Sequence, residues 1–181
     1  KIAVTGKLQM VTIEGEKYGF LSALTVRPEL RGRGLAKKIT DARVEAAKEA
    51  GCTSVYTSVN HDNTPSLVSK LNDGFVITEL PFYESDEQFL LTKKIDGQED
   101  FDKKRGSIGE LKEVNLSNVE EISNLLKTKE WVGIDLKNKG ASDSKNPEEW
   151  TLILEKTSPV PDEVPHASNS SLMSDNGERS A

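Results

Sequence analysis

The chain has 181 residues, enough for one domain or for one domain with an appendage. Hydrophobic residues make up 35%, and no apolar run approaches the roughly 18 residues that a membrane-spanning helix needs. The net charge of −6 disfavours nucleic-acid binding, which requires a basic surface. A single cysteine excludes an internal disulfide and a multi-cysteine metal site. We therefore expect an intracellular, cytoplasmic protein with no nucleic-acid or membrane partner.

Charge and apolar content divide the chain into four predicted segments. Residues 1–95 carry a net charge of +1 and alternate strand-like with helix-like patterns, which predicts a domain. Residues 96–106 are charged and poor in apolar side chains, as a linker is, and residues 107–156 form a C-terminal extension. Few apolar groups occur in residues 157–181, so we expect a disordered tail. Because the chain begins in a strand-like stretch without an initiator methionine or signal segment, we expect a fragment of a longer protein.

The N-terminal part predicts a meander of three antiparallel strands. Lys1–Thr5 and Leu8–Ile13 are rich in Val, Ile and Leu, and the Thr5-Gly6-Lys7 sequence between them has a hairpin-turn composition. A polar turn at Glu14–Lys17 leads into the third strand, Tyr18–Val26, which ends before a proline.

After Gly34 the apolar residues recur every three or four positions, which predicts a helix. Gly51 is predicted to end this helix. The predicted apolar stripe of this helix is Leu35, Ile39, Ala42, Ala46 and Ala50. The elements predicted next are a strand over Thr53–Val59, a helix over Thr64–Leu71, and a strand pair over Phe75–Leu80 and Gln88–Lys94. This order predicts an α/β (α+β) fold with a mixed, mostly antiparallel twisted sheet flanked by helices.

The extension has its own element pattern. Ile108–Val114 predicts a strand, and Leu116–Leu126 predicts a helix with Asn115 or Ser117 as its cap. Trp131–Leu136 and Trp150–Leu154 predict two further buried segments.

The loop between the third strand and the long helix predicts a pyrophosphate cradle. Gly32 and Gly34 leave the backbone accessible, and the helix dipole favours negative charge there. Arg31 and Arg33 add donors suited to phosphate. The alternative is a solvated basic turn with a glycine hinge. A Walker loop is excluded because Gly-Lys-Ser/Thr is absent, and the dinucleotide fingerprint lacks its third glycine and its acidic residue.

The sequence LTVRPELRGRGLAKKI resembles motif A of the GCN5-related N-acetyltransferase (GNAT) superfamily, with Arg31, Gly34 and Ala36 at its fixed positions. A second match joins Asn63-Thr64-Pro65-Ser66-Leu67 to Gly74-Phe75. The resemblance implies an acyl-CoA N-acyltransferase type of fold whose N-terminal elements, one strand and two helices, are missing. It also implies acetyl-CoA as co-substrate and no metal.

The resemblance further assigns roles to residues of this chain. The strand backbone would pair with the pantetheine arm and polarise the thioester carbonyl, and the loop amides would bind the pyrophosphate. Asn63 would contact the pantetheine, with Ser66 one helical turn further on. The implied cofactor-binding residues are Leu24, Thr25, Val26, Arg31, Gly32, Arg33, Gly34, Leu35, Ala36, Asn63 and Ser66.

The usual catalytic residues of the family do not transfer. Lys70 occupies the position where many relatives have a tyrosine general acid, and Ser58 the position where some have a glutamate base. Lys70 is interpreted as a solvated helix residue. His61, which precedes Asn63, is the candidate general base, because the histidine side chain is the usual proton acceptor near neutral pH.

Four other reactive side chains are given structural interpretations. Tyr56 and Tyr83 are interpreted as packing or surface residues, and His166 as an inert residue of the tail. Cys52 is interpreted as a buried small hydrophobe, since no base lies beside it in the sequence.

These observations predict an N-acetyltransferase that acetylates a primary amine of a small molecule or amino acid. The alternatives are a non-catalytic acyl-CoA-binding module and a protein N-acetyltransferase. The extension is faintly similar to that of animal histidine N-acetyltransferase-like proteins and would shape the acceptor pocket. Alternatively, GELKEVNLSNVEEISNLL resembles the opening of another acetyltransferase unit. The oligomeric state is left open.

Overall fold

A computed structural model describes residues 3–80, 82–83, 86–95, 109–140 and 146–157. The strands are β1 (Val4–Ile13), β2 (Glu16–Val26), β3 (Ser54–Asn60), β4 (Val76–Glu79), β5 (Phe82–Tyr83), β6 (Asp86–Lys94), β7 (Leu111–Asn115), β8 (Trp131–Asn138) and β9 (Trp150–Lys156). The helices are α1 (Leu35–Glu49), α2 (Thr64–Asn72) and α3 (Val119–Lys127), with short 3-10 turns at Pro28–Leu30 and Pro147–Glu149.

The strands form a sheet in the order β1-β2-β3-β6-β4-β8-β9-β7, and β5 pairs with β6 beside this path. Within the described ranges only β2 and β3 pair in parallel, and every other pairing is antiparallel. The prediction of a mixed, mostly antiparallel sheet with helices is therefore confirmed. No described helix is long and apolar enough to span a membrane.

One hydrophobic core joins the N-terminal and C-terminal parts. It contains alternate strand residues, such as Val55 and Val59, together with side chains from all three helices. β8 continues the sheet next to β4 through the pairing of Ile77 with Gly133. The two tryptophan-led segments predicted as buried are β8 and β9, and both tryptophans are buried.

The predicted turn at Thr5-Gly6-Lys7 is wrong, because β1 runs through it as a single strand. The hairpin turn lies at Glu14 and Gly15, both with positive φ, within the polar turn predicted at Glu14–Lys17. Gly6 is needed for close approach of α1: a Cβ there would lie 3.0 Å from the guanidinium of Arg43 and 3.1 Å from Ile39. Sequence composition does not distinguish such a glycine from a turn glycine.

The predicted apolar stripe of α1 is also displaced. Ala42 and Ala46 are exposed, whereas Thr40, Arg43 and Ala47 are buried. The displacement arises because Thr40 and Arg43 have hydrogen-bond partners inside the protein. A prediction from hydrophobicity alone therefore places the wrong face of α1 in the core.

Helix α3 begins later than predicted. Its cap is Asn118, whose side-chain oxygen accepts from the backbone N–H of Glu121 at 3.3 Å, rather than Asn115 or Ser117. Asn115 instead accepts from the N–H of Ser117 at 2.9 Å, which closes the turn before the helix. The predicted linker 96–106 and the tail from 158 onward, with His166, lie outside the described residues.

Candidate functional site

The parallel strands β2 and β3 diverge towards their carboxyl ends. Pairing is confined to Tyr18–Phe20 against Ser54–Tyr56. One further link follows, in which Thr57 Oγ1 donates to the carbonyl of Leu21 at 2.9 Å. Beyond it, Leu24, Thr25 and Val26 have no pairing partner in β3. The backbone of these three residues therefore borders a notch between the strands.

A bulge in β2 accompanies this divergence. Thr5 pairs with Thr25, and Lys7 pairs with Ser22. Between these two pairs β1 has one residue, whereas β2 has two. Ala23, inside the bulge, has a φ of 51°, which is left-handed backbone. A bulge bends and twists the strand that carries the extra residue, and this one follows the point where β2 stops pairing with β3.

The bulge is held by a residue that sequence reasoning missed. The Nη1 atom of Arg43 donates to the carbonyls of Lys7 and Ser22, each at 3.1 Å, and Nε donates to Ile39 at 3.3 Å. These contacts satisfy backbone acceptors beside the bulge, where the ladder is interrupted. The sequence contains one sign of this role: Arg43 lies one helical turn before the buried Ala47, on the same face of α1.

The loop between β2 and α1 presents several backbone donors. Gly32 and Gly34 have φ values of 73° and 71°, a conformation that glycine adopts without strain. None of the residues that the structure describes accepts a hydrogen bond from the backbone N–H groups of residues 32 to 36. The first turn of α1 contains no acidic residue. Donors, helix dipole and absence of negative charge together suit a pyrophosphate.

The basic side chains of the loop reach the solvent. Arg31 is exposed and its Nε donates to the carbonyl of Val26 at 3.3 Å, which folds the side chain back over the end of β2. Arg33 and Lys38 are exposed as well, and Lys37 forms ion pairs with Asp41 and Asp73. The loop therefore combines backbone donors with positive charge.

The candidate pantetheine contacts lie at the start of α2. Asn63 is exposed and caps the helix, with its Oδ1 accepting from the N–H of Ser66 at 3.4 Å. Since α1 follows β2 and α2 follows β3, and the two strands are parallel, both helix N-termini lie at the open end of the notch. The structure thus brings Asn63 and Ser66 to the same edge as the loop 31–36.

The interpretation of Lys70 as a solvated residue is wrong. Its side chain is buried, its Nζ donates to Thr40 Oγ1 at 2.7 Å, and it lies 5.4 Å from the centroid of the Phe75 ring. Burial lowers the pKa of Lys70 to about 8. The sequence pattern of α2 contains no sign of this, because the partner Thr40 belongs to another helix.

His61, the candidate base, lies half-buried in the loop after β3. It lines an open cleft of about 650 Å³ whose other walls belong to the extension. These walls are Ser117, Asn118, Val119, Glu120, Asn146, Pro147 and Glu148. Two carboxylates therefore share a cleft with the histidine.

The remaining candidates have structural roles or lack description. Tyr56 packs edge-to-face on Tyr18, with centroids 5.7 Å apart, and burial raises its pKa. Cys52 is buried and its thiol pKa is raised by burial, which confirms it as a small core residue. Tyr83 belongs to β5, whose side chains are not described. Over the described ranges, no three His, Cys, Asp or Glu side chains group to hold a metal ion.

A known protein family matches the N-terminal part of the chain. Residues 3–67 match the model of the Acetyltransferase (GNAT) family, which confirms the resemblance carried by the loop motif. No curated protein matches the sequence. The further similarity to histidine N-acetyltransferase-like proteins stays a prediction.

Several solved structures are similar in fold at low identity. A chain of the NatC complex bound to Gag peptide and CoA is 19% identical, with a TM-score of 0.45 over 51% of this chain and 59% of that one. Arabidopsis thaliana NAA60 in complex with a bisubstrate analogue is 16% identical, with a TM-score of 0.46 over 53% and 67%. Nourseothricin acetyltransferase is 18% identical, with a TM-score of 0.43 over 49% and 56%. This chain thus covers between 56% and 67% of the length of each of these three proteins.

Proposed function

We propose that this chain, whose residues 3–67 match the model of the Acetyltransferase (GNAT) family, transfers an acetyl group from acetyl-CoA to a primary amine. One observation carries the proposal: a loop rich in unpaired backbone donors lies at the mouth of the notch between β2 and β3. Such a site fits a ligand with a pyrophosphate at one end and an amide-bearing arm, as acetyl-CoA has.

The cofactor would be held mainly by backbone groups. The N–H groups of residues 32 to 36 would bind the pyrophosphate, and Arg31 and Arg33 would add charge-assisted hydrogen bonds. The unpaired edge of Leu24–Val26 would pair with the amides of the pantetheine arm as a strand does. A backbone N–H of this edge would polarise the thioester carbonyl, and preorganised donors of this kind stabilise the charge that develops there.

The acceptor amine would enter through the cleft beside His61. The amine attacks the polarised carbonyl carbon, the C–S bond breaks, and CoA leaves while the nitrogen loses a proton. His61, or water that it orders, would take this proton. Holding the amine close to the thioester is the larger contribution to rate, and proton transfer is the smaller one.

A small cationic amine or an amino acid is the proposed acceptor. Glu120 and Glu148 line the cleft and would attract a positively charged molecule. This assigns residues 107–156 the role of an extension that shapes the acceptor pocket of the 1–95 domain. A protein N-terminus is the competing acceptor, since it also presents a primary amine.

The test incubates the full chain with acetyl-CoA and a panel of acceptors, and follows release of free thiol. The panel contains small cationic amines, amino acids, neutral amines and short peptides with free N-termini. Thiol release with cationic small amines or amino acids supports the proposal, and release with peptides alone assigns protein acetylation instead. CoA binding without release for any acceptor identifies a non-catalytic acyl-CoA-binding module, the alternative favoured by the unusual residues at positions 58 and 70.

A further inference from the structure

The walls that the extension gives to the acceptor cleft come from two separate segments. Residues 117–120 are the turn before α3 and its first residues, and residues 146–148 are the cap and start of the 3-10 turn before β9. Each segment carries one of the two carboxylates of the cleft, Glu120 or Glu148. Because the segments lie far apart in the sequence, the separation of these carboxylates depends on contacts between the segments.

The side chain of Asn115, the last residue of β7, contacts both segments. Its Nδ2 atom donates to the carbonyl of Glu148 at 2.8 Å. Its Oδ1 atom accepts from the backbone N–H of Ser117 at 2.9 Å and from the Ser117 hydroxyl at 2.6 Å. A side-chain amide has a donor and an acceptor on one planar group, so this single residue joins the two walls.

Asn115 is itself fixed by the end of the sheet. It pairs with Thr151 of β9, and its carbonyl accepts from the N–H of Asn118 at 2.9 Å. The next N–H, that of the buried Leu116, donates to the carbonyl of Trp150 at 2.9 Å. Among the described residues, those that line the cleft do not include Asn115. Asn115 therefore holds the walls from behind, without contact to an acceptor in the cleft.

Two other asparagines order each wall internally. Asn118 caps α3 by accepting from the N–H of Glu121 at 3.3 Å, and Asn146 Oδ1 accepts from the N–H of Glu148 at 3.2 Å. Both contacts can persist when the two walls move relative to each other, whereas the bond from Asn115 to the carbonyl of Glu148 cannot. Loss of the Asn115 donor therefore frees the Glu148 segment to shift while each wall stays ordered.

We propose that Asn115 is a positioning residue for the acceptor, which holds Glu148 in place relative to the first turn of α3 and thereby sets the preference of the cleft for cationic amines. The inference rests on the proposed function. Misplacing a reacting group by about 1 Å can lower a rate by about 100-fold, so a residue that only fixes a wall can affect turnover. Asn115 takes no part in the transfer of the acetyl group or of the proton.

The experiment compares two asparagine-to-aspartate variants of the full chain. In Asn115→Asp the side chain still accepts from Ser117 but has no donor for the carbonyl of Glu148. Asn138→Asp is the matched control: Asn138 Oδ1 also accepts from the N–H two residues further on, that of Gly140, at 2.6 Å. This control adds the same charge to the same extension. Steady-state thiol release is measured with cationic and with neutral amines.

Asn115→Asp should lower kcat/KM for cationic amines by about tenfold, the factor that corresponds to one net hydrogen bond, and lower it less for neutral amines. The added negative charge by itself would attract cationic amines, so it acts in the opposite direction. The KM for acetyl-CoA and the kinetics of Asn138→Asp should match the wild type. In a Glu148→Gln background, Asn115→Asp should have a smaller effect, because Asn115 acts through Glu148.

Each outcome distinguishes this inference from the proposed function. If the wild type releases no thiol with any amine, the proposed function fails and this inference fails with it. If the wild type is active but Asn115→Asp leaves acceptor kinetics unchanged, or lowers them equally for cationic and neutral amines, only the role of Asn115 is overturned. An equal change in Asn138→Asp, or an undiminished effect in the Glu148→Gln background, overturns it too. Should Asn115→Asp not fold, Asn115→Ser decides, because serine can close the same turn but has no donor that reaches Glu148; a wild-type preference for cationic amines in this variant overturns the inference.

Discussion

The guanidinium of Arg43 lies directly over Gly6, so that a Cβ on Gly6 would be 3.0 Å from its Cζ and Nη1 atoms. From this position Arg43 donates to the carbonyls of Lys7 and Ser22, on either side of the ladder beside the bulge. Because that bulge lies where β2 stops pairing with β3, the contact between Gly6 and Arg43 supports the strand beside the proposed cofactor notch.

The first prediction tests this contact. Arg43→Met should lower the free energy of unfolding by about 1–3 kcal/mol, because buried carbonyls lose their donor. It should also weaken CoA binding, since the bulge loses its support. Urea unfolding and calorimetry measure the two effects, with exposed Lys38→Met on the same helix as the control. A destabilised variant that binds CoA with wild-type affinity would show that Arg43 stabilises the fold but does not shape the notch.

The second prediction tests the cofactor loop. Gly34 and Gly51 both have positive φ, at 71° and 78°, and a Cβ on either would meet nothing within 4 Å. Gly34→Asp and Gly51→Asp should therefore cost similar stability, about 1–2 kcal/mol from backbone strain. Gly34→Asp alone should abolish CoA binding, because it puts a carboxylate against the pyrophosphate. Equal affinities of the two variants would remove this loop from the site.

The third prediction concerns the proposed base. His61→Ala should lower turnover by no more than about 10²–10⁴-fold and change its pH dependence, as loss of a general base does. The pH profile of turnover is the measurement, and CoA affinity, which should stay unchanged, is the internal control. Unaltered rate and pH profile would show that another group or water takes the proton.

The fourth prediction follows from the buried charge of Lys70. Its pKa in the folded chain, about 8, lies below the usual lysine pKa of 10.5, so between these values the unfolded chain binds more protons. The stability of the wild type relative to Lys70→Met should therefore rise with pH from about 8 to 10.5, by about 3 kcal/mol in total. Urea unfolding of both variants over this range measures it. A difference that stays constant with pH would mean that Lys70 ionises as it does in water.

The fifth prediction tests the acceptor cleft. Replacing Glu120 and Glu148 together by glutamine should raise KM for cationic amines several-fold without changing kcat, because attraction in the cleft is lost before the chemical step. Glu45→Gln, on the exposed face of α1, is the matched control. Steady-state kinetics at low salt measure the effect. An equal change for neutral amines would point to altered cleft shape rather than charge.

Local sequence determined the glycine-containing loop before α1 and most of the elements. Gly32 and Gly34 between a strand and a helix predicted the loop because glycine alone tolerates the required backbone without strain. Pro65 and Gly51 likewise predicted where helices begin and end. These properties depend on backbone conformation within a few residues, so a single sequence contains them.

Tertiary structure decided which polar residues belong inside. Gly6 is part of a strand because Arg43, 37 residues later, lies over it, and Lys70 is buried because Thr40 accepts its hydrogen bond. The cleft likewise joins His61 to Glu120 and Glu148 from the extension. Amphipathic patterns assign lysine and arginine to the solvent, since burying their charge is costly without a partner. The partners here lie far away along the chain, and only the folded arrangement brings them together.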